Sequence, residues 1–230
     1  MHSILGIDTV GPLGSIALLV DGTIAAEAPL PPGGHSNGLA AAADDVARKA
    51  GVGLATLSGI AVSGGPGSFT GLRIGFAWAK GIALAAGVPL AIVATHEAAA
   101  HAAADVPGLR ITVTPGARKE LALAVWAAAS ADDAKAGRPV PIAAPRSVPE
   151  WDVAEVVESL AAGRPFTAIP TSEALAAFLA TDGVPHIAPR ALAGSVARLG
   201  AALLRAGGAA DVVSASPAYG RAPNARKPAR

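Results

Sequence analysis

The stretch GGPGSFTGLRIG, residues 64–75, sets five glycines and a proline between an apolar run, LSGIAVSGG (57–65), and a helix-forming one, TGLRIGFAWAKGIALAAG (70–87). Clustered glycines mark backbone held in conformations or contacts that a side chain forbids. The first run reads as a strand and the second as a helix, which Gly87 and then Pro89 close. PLAIVAT (89–95) reads as the next strand. A strand-loop-helix-strand unit of this kind makes a parallel pair with a right-handed crossover. The chain is therefore α/β around this point.

Other segments extend that frame. ILGIDTV (4–10), SIALLVDG (15–22) and TIAAEA (23–28) read as an antiparallel meander, with Asp21-Gly22 as a hairpin turn. HSNGLAAAADDVARKAG (35–51) reads as a helix capped by Ser36 or Asn37, with Leu39, Ala43, Val46 and Ala50 on one face. Asp44 with Arg48 and Asp45 with Lys49 stand at i,i+4 on the other, each pair worth roughly 0.3 kcal/mol. HEAAAHAAA (96–104) is a short helix. The pattern restarts after DVPG (105–108): strands at RITVT and LALAVWAA, a loop over 131–149, a helix at WDVAEVVESLAAG, a strand at FTAIP, a helix at SEALAAFLA, a strand at VPHIA and a long amphipathic helix over 191–207. The expected organisation is a first lobe over 1–104 and a smaller lobe over 105–230, with the 191–207 helix packing back on the first.

Composition narrows the functions. The charged fraction is 15% and the net charge +1, with no basic stripe able to hold nucleic acid alone. Four cations fall in the last ten residues, RAPNARKPAR, a solvated tail or a contact for RNA or an acidic partner. Without cysteine there is no thiolate metal site and no cysteine nucleophile. Residues 51–72 are uncharged but hold seven glycines and Pro66, too many for a lipid-facing helix. MHSILGIDTV lacks the pattern of a signal peptide, so the expected location is the cytoplasm, with no membrane contact.

The loop leaves a strand for a helix N-terminus, a natural anion site. Its motifs do not fit phosphate or acyl chemistry, however. No GK[ST] closes it, Thr70 occupies the third glycine place of G-x-G-x-x-G, and Pro66 stands where a serine elbow needs glycine. Gly71, Gly75, Ala79 and Ala83 recur every four residues, a ridge that lets another element approach closely. That ridge serves either the chain's own sheet or a partner, with Leu72 and Phe76 as apolar neighbours and Arg73 and Lys80 as charges. In HEAAAH the two histidines stand five apart, roughly 140° around a helix, so one helix cannot aim both at one metal. Asp8 ends the first strand, either a turn cap or a magnesium-linked carboxylate.

ILGIDTV with SIALLVDG, then HSNGL, and above all IAVSGGPGSFTGLRIGFAWAKGIALAAGVPL resemble the TsaB (YeaZ) family of the actin-like/Hsp70-like ATPase superfamily. The resemblance covers residues 1–104 and continues loosely through VTPGARKELALAV and SPAYGR. It implies two actin-like, ribonuclease H-like lobes with mixed sheets flanked by helices. It implies a non-catalytic scaffold that pairs with a TsaD-like subunit. That subunit moves a threonylcarbamoyl group from threonylcarbamoyl-adenylate to N6 of the adenosine beside the anticodon of tRNA. A TsaE-like ATPase joins the complex, tRNA is met through it, and the chain alone is a homodimer. Carried onto this sequence, the pairing surface is Leu39, Ala43, Gly71, Leu72, Arg73, Gly75, Phe76 and Ala79. No cofactor is required. Asp8 and Thr9 are left as a weak contact for ATP or ADP with magnesium at the complex interface.

Two departures from the family's pattern stand out: Asn37 follows HS where an acid is expected, and Gly116 with Glu120 disturbs the family's acidic-arginine stretch; Gly116 also stands where an active ATPase of the superfamily has its second aspartate. Without that carboxylate, hydrolysis lacks a group to position water or magnesium. A stand-alone actin-fold ATPase or phosphotransferase is the alternative, and a peptidase is weaker because no nucleophile-base set is evident.

Overall fold

The computed structural model describes residues 2–31, 35–116, 119–127 and 138–218. The first sheet holds β1 (Ser3–Asp8), β2 (Ser15–Val20), β3 (Thr23–Pro29), β4 (Gly59–Ser63) and β5 (Leu90–Val93), in the order β3-β2-β1-β4-β5. β1, β2 and β3 pair antiparallel, and β1-β4-β5 run parallel. Helices α1 (His35–Ala50) and α2 (Phe69–Ala86) accompany it, and α3 (Thr95–Ala102) leads to the second sheet. That sheet holds β6 (Leu109–Pro115), β7 (Glu120–Trp126), β8 (Pro141–Pro149) and β9 (Phe166–Pro170), in the order β8-β7-β6-β9. Helices α4 (Val153–Ala161), α5 (Glu173–Thr181) and α6 (Ala193–Arg205) follow among the described residues.

Strands β1, β2, β4 and β5 of the first sheet are nearly continuously apolar and buried on both faces, whereas edge strand β3 is partly exposed. Leu5, Ile7, Ile60 and Val62 meet α1 and α2, whereas Ile4, Ala61 and Ala91 meet α6. α6 reaches the sheet so closely that a β-carbon on Gly200 would stand 2.2 Å from the Ala61 methyl. Its N-terminus finds caps on that sheet: Ala193 N–H donates to Ser15 Oγ (3.2 Å) and Gly194 N–H to Glu27 Oε1 (3.3 Å). Such borrowed caps satisfy N–H groups that the helix itself cannot.

The two sheets are joined through α3. Buried Arg110 on β6 donates from Nη1 to Ala100 O (2.6 Å) and from Nη2 to Ala127 O (2.7 Å). His96, in the first turn of α3, lies 2.9 Å from Thr112 Oγ1, which also accepts the Trp126 indole N–H at 3.0 Å.

Three expectations are corrected. Within 131–149, read as loop, residues 141–149 form β8, antiparallel to β7; residues 131–137 lie outside the description. Prolines are tolerated there because β8 is an edge. Ala127 N–H donates to Val140 O and Glu150 N–H to Lys119 O, so Pro141 and Pro149 fall at the intervening pairs, where a missing N–H faces outward. VPHIA is no strand; it makes one isolated bridge, Ala168 with His186. Finally, Asp45 takes both cations, Arg48 at 2.5 Å and Lys49 at 2.7 Å, and Asp44 makes no pair with Arg48. Ser36 and Asn37, the expected α1 caps, have side chains outside the description.

Candidate partner-binding face

The glycine-rich unit is built around the turn that follows β1. Ser68 caps α2, its Oγ accepting Gly71 N–H at 3.2 Å, and Gly87 closes the helix in the left-handed conformation at φ 66°. Thr9 Oγ1–H donates to Gly71 O at 2.7 Å. A β-carbon on Gly71 would lie 2.0 Å from the Thr9 carbonyl oxygen, and one on Gly75 would lie 2.4 Å from Thr9 Oγ1. The repeated glycines therefore admit the chain's own β1 turn.

That packing corrects the expected pairing surface. Leu39, Ala43, Gly71, Leu72, Gly75, Phe76 and Ala79 are all buried inside this chain, and Arg73 alone of the eight is exposed. α2 also carries a second row of small residues. Ala77, Gly81 and Ala85 also recur every four residues, and all three are exposed. Phe69 (49% exposed) and Leu84 (60%) flank that row. Gly81 has nothing within 4 Å of where its β-carbon would stand. The open face of α2 is thus apolar and small, with Arg73 lying over the Phe69 ring at 4.1 Å. Exposed apolar patches of this kind mark association surfaces.

Sequence reasoning missed the residues beside that face. Residues 208–218 form a C-terminal strap. Ala210 N–H donates to Leu90 O (2.8 Å) and Ala218 N–H to Gly64 O (2.8 Å). Lys80 Nζ donates to Val213 O (2.8 Å) and Ala215 O (3.0 Å). The signal available was the turn chemistry of ADVVS at 210–214: Asp211 accepts Val213 N–H and the Ser214 hydroxyl, each at 2.9 Å. These bonds hold its carboxyl below the usual carboxylate range.

The other candidates are placed as follows. Asp8 is buried, with Val10 N–H donating to its Oδ1 at 3.3 Å, and Thr9 is committed to α2. Gly116 lies in the β6–β7 connection, where its N–H donates to Glu120 O at 2.8 Å. His96 is buried against Thr112, while His101 Nδ1 lies 2.9 Å from Ser195 Oγ on α6. The two rings therefore address different elements. Among the described residues no group of three or more His, Asp or Glu could hold a metal ion, and no helix is long and apolar enough to cross a membrane.

Comparison with known proteins bears on this same region. The family model for TsaD, tRNA N6-adenosine threonylcarbamoyltransferase, matches residues 33–136. The tRNA threonylcarbamoyladenosine biosynthesis protein TsaB of Escherichia coli is 40% identical over 92 residues, 40% of either chain. A tRNA N6-adenosine threonylcarbamoyltransferase of Caulobacter vibrioides is 38% identical over 87 residues, 36% of this chain and 24% of that one. The sequence match thus spans two fifths or less of these curated relatives. The fold match is wider. A Pseudomonas aeruginosa protein described as similar to peptidase YEAZ superposes with a TM-score of 0.78 at 22% identity, covering 96% of this chain and all of that one. YeaZ from the same organism gives 0.75 at 21%, covering 94% and 100%. The ethanolamine utilization protein EutJ of Carboxydothermus hydrogenoformans gives 0.51 at 16%, covering 88% and 90%. The architecture is that of actin-like ATPase-fold proteins, two mixed sheets flanked by helices. The chain is thus similar in sequence to TsaB over two fifths of its length, and in fold to the YeaZ structures over nearly all of it.

Proposed function

We propose that this chain is a non-catalytic scaffold subunit in the formation of threonylcarbamoyladenosine on tRNA, and that it pairs with a TsaD-type subunit. The observation that carries the reading is the open face of α2. It is apolar, small-featured and exposed, and it lies within the residues matched to the TsaD family model. Rows of small residues let helices approach closely, and apolar contact supplies the association energy. The same face serves a homodimer when no partner is present. A TsaE-type ATPase and tRNA are met through the complex, without a membrane, and the expected compartment is the cytoplasm.

The non-catalytic part of the proposal rests on placement. Thr9 is occupied in holding α2, Asp8 in holding its own turn, and Gly116 supplies no second carboxylate. No cofactor is needed for scaffolding. A weak nucleotide with magnesium at the complex interface would have to draw Asp8 and Thr9 out of these buried positions to contact them. Steady turnover of ATP by the chain alone, lost in Asp8→Ala, would replace the scaffold by a stand-alone ATPase.

The test is light scattering coupled to size exclusion, with the chain alone and mixed with the TsaD-type protein of the same genome. A standard interface of about 1,600 Å² survives such a column at micromolar affinity. Gly81→Leu should abolish the mixed complex and leave the melting temperature within about 2 °C, because its side chain enters open space. Gly75→Leu, which the buried ridge suggests at first sight, reports on folding instead. A wild-type chain that ignores the TsaD-type protein removes the proposal.

A further inference from the structure

α2 and the strap enclose a groove of about 530 Å³, lined by Arg73, Lys80, Gly81 and Leu84 on the helix and by Ser216 and Pro217 on the strap. Its strap wall is fixed before any partner arrives. Backbone bonds at Ala210 and Ala218 pin both ends, Lys80 holds the middle, and Asp211 braces the turn between them. A wall held at three points costs little ordering on docking.

The lining states what fits. Leu84 and Pro217 are apolar, and above Gly81 the space is open to a backbone or a large side chain. Charge is uneven. Lys80 spends two donors on strap carbonyls and faces the Asp211 carboxylate, whose own bonds go to its turn. Arg73 has no carboxylate partner among the described residues; its guanidinium lies on Phe69 at the rim. An exposed guanidinium at the mouth of an apolar groove calls for a carboxylate, which it binds with two parallel bonds. A nucleic-acid strand would want a run of cations along its phosphates and open aromatic faces for its bases; here Lys80 is tied to the strap, Phe76 is buried and Arg73 covers the Phe69 ring.

We propose that this groove seats an apolar segment of the protein partner that carries an aspartate or glutamate to Arg73, which makes the C-terminal strap half of the docking site. The proposal rests on the pairing read above and names a component of it: the partner's contact is made to two elements far apart in sequence, and its carboxylate sets the register on α2.

The experiment measures the dissociation constant of the full chain for the TsaD-type protein of the same genome at about 50 and 300 mM salt, values on either side of the physiological screening length. Ser216→Trp fills the groove from the strap side, where the residue is exposed and no core packing depends on it. It should raise the constant at least tenfold with an unchanged melting temperature. Arg73→Glu should weaken binding about tenfold at low salt and less at high salt, as a screened rim charge does. Wild-type binding with Ser216→Trp within twofold of it overturns the groove and leaves the pairing intact. Absence of wild-type binding overturns both. A shift of tRNA by the chain alone that Ser216→Trp abolishes replaces the acidic protein segment by nucleic acid.

Discussion

Gly71→Ala should cost the protein more than about 3 kcal/mol and lower its melting temperature by roughly 10 °C, although it adds one methyl group to a helix. The new carbon would stand 2.0 Å from the Thr9 carbonyl oxygen, a backbone atom at the end of a buried central strand. Thr9 also donates to Gly71 O, so the two cannot separate without losing that bond and lifting α2 from β1. Overpacking against backbone has no rotamer through which to relax. Gly75→Ala should be milder, since its neighbour at 2.4 Å is the Thr9 hydroxyl, which can turn with χ1 at the cost of its bond to Gly71 O, whereas the carbonyl facing Gly71 cannot move alone. Gly81→Ala should be neutral or stabilise by up to about 1 kcal/mol, since it gains helix propensity in open space. Urea unfolding of the three variants checks the order, and Gly71→Ala unfolding like wild type would show that α2 does not seat on the β1 turn.

Acidification should weaken the fold between pH 6.5 and 4 through His96. The ring is buried at the junction of α3 with β6 and β7, and burial pushes its pKa down to about 4. Thr112 and the Trp126 indole are its polar surroundings there. As pH falls the unfolded chain takes up the proton first, near 6.5, and the folded chain only near 4. The neutral ring's contribution is therefore complete above pH 6.5 and lost on the way down. The gap corresponds to about 3 kcal/mol, most of it gone by pH 5. His101 is held low as well, by its burial and then by Arg198 and Arg110, so it adds to the same slope. Denaturant unfolding at pH 7.5 and 5 should show the loss in wild type and a clearly shallower one in His96→Gln. Equal slopes in the two proteins would remove His96 as the origin.

Much of the local structure was legible. Strand and helix follow one another through 57–87 because each signal is local: an apolar run, then a helix-forming run closed by a glycine free to turn left-handed, whereas the Ser68 cap was seen only in the structure. The candidate site was legible as far as the helix. Leu39, Ala43, Gly71, Leu72, Gly75, Phe76 and Ala79 were assigned to a pairing surface through the family resemblance; the four-residue spacing of the ridge left open whether the chain's own sheet or a partner covers it, and the sheet does. The strap was missed because its bonds join residues such as Lys80 and Ala215, 135 positions apart.

What the sequence by itself determined is the order of elements around the glycine-rich unit and the need for close approach there, since glycine clusters exclude bulk wherever they are packed. Tertiary structure alone decided which of the two small-residue rows of α2 is covered. Both rows repeat every four residues, and the choice was made by Thr9, whose carbonyl and hydroxyl fit against Gly71 and Gly75 and leave Ala77, Gly81 and Ala85 to the outside.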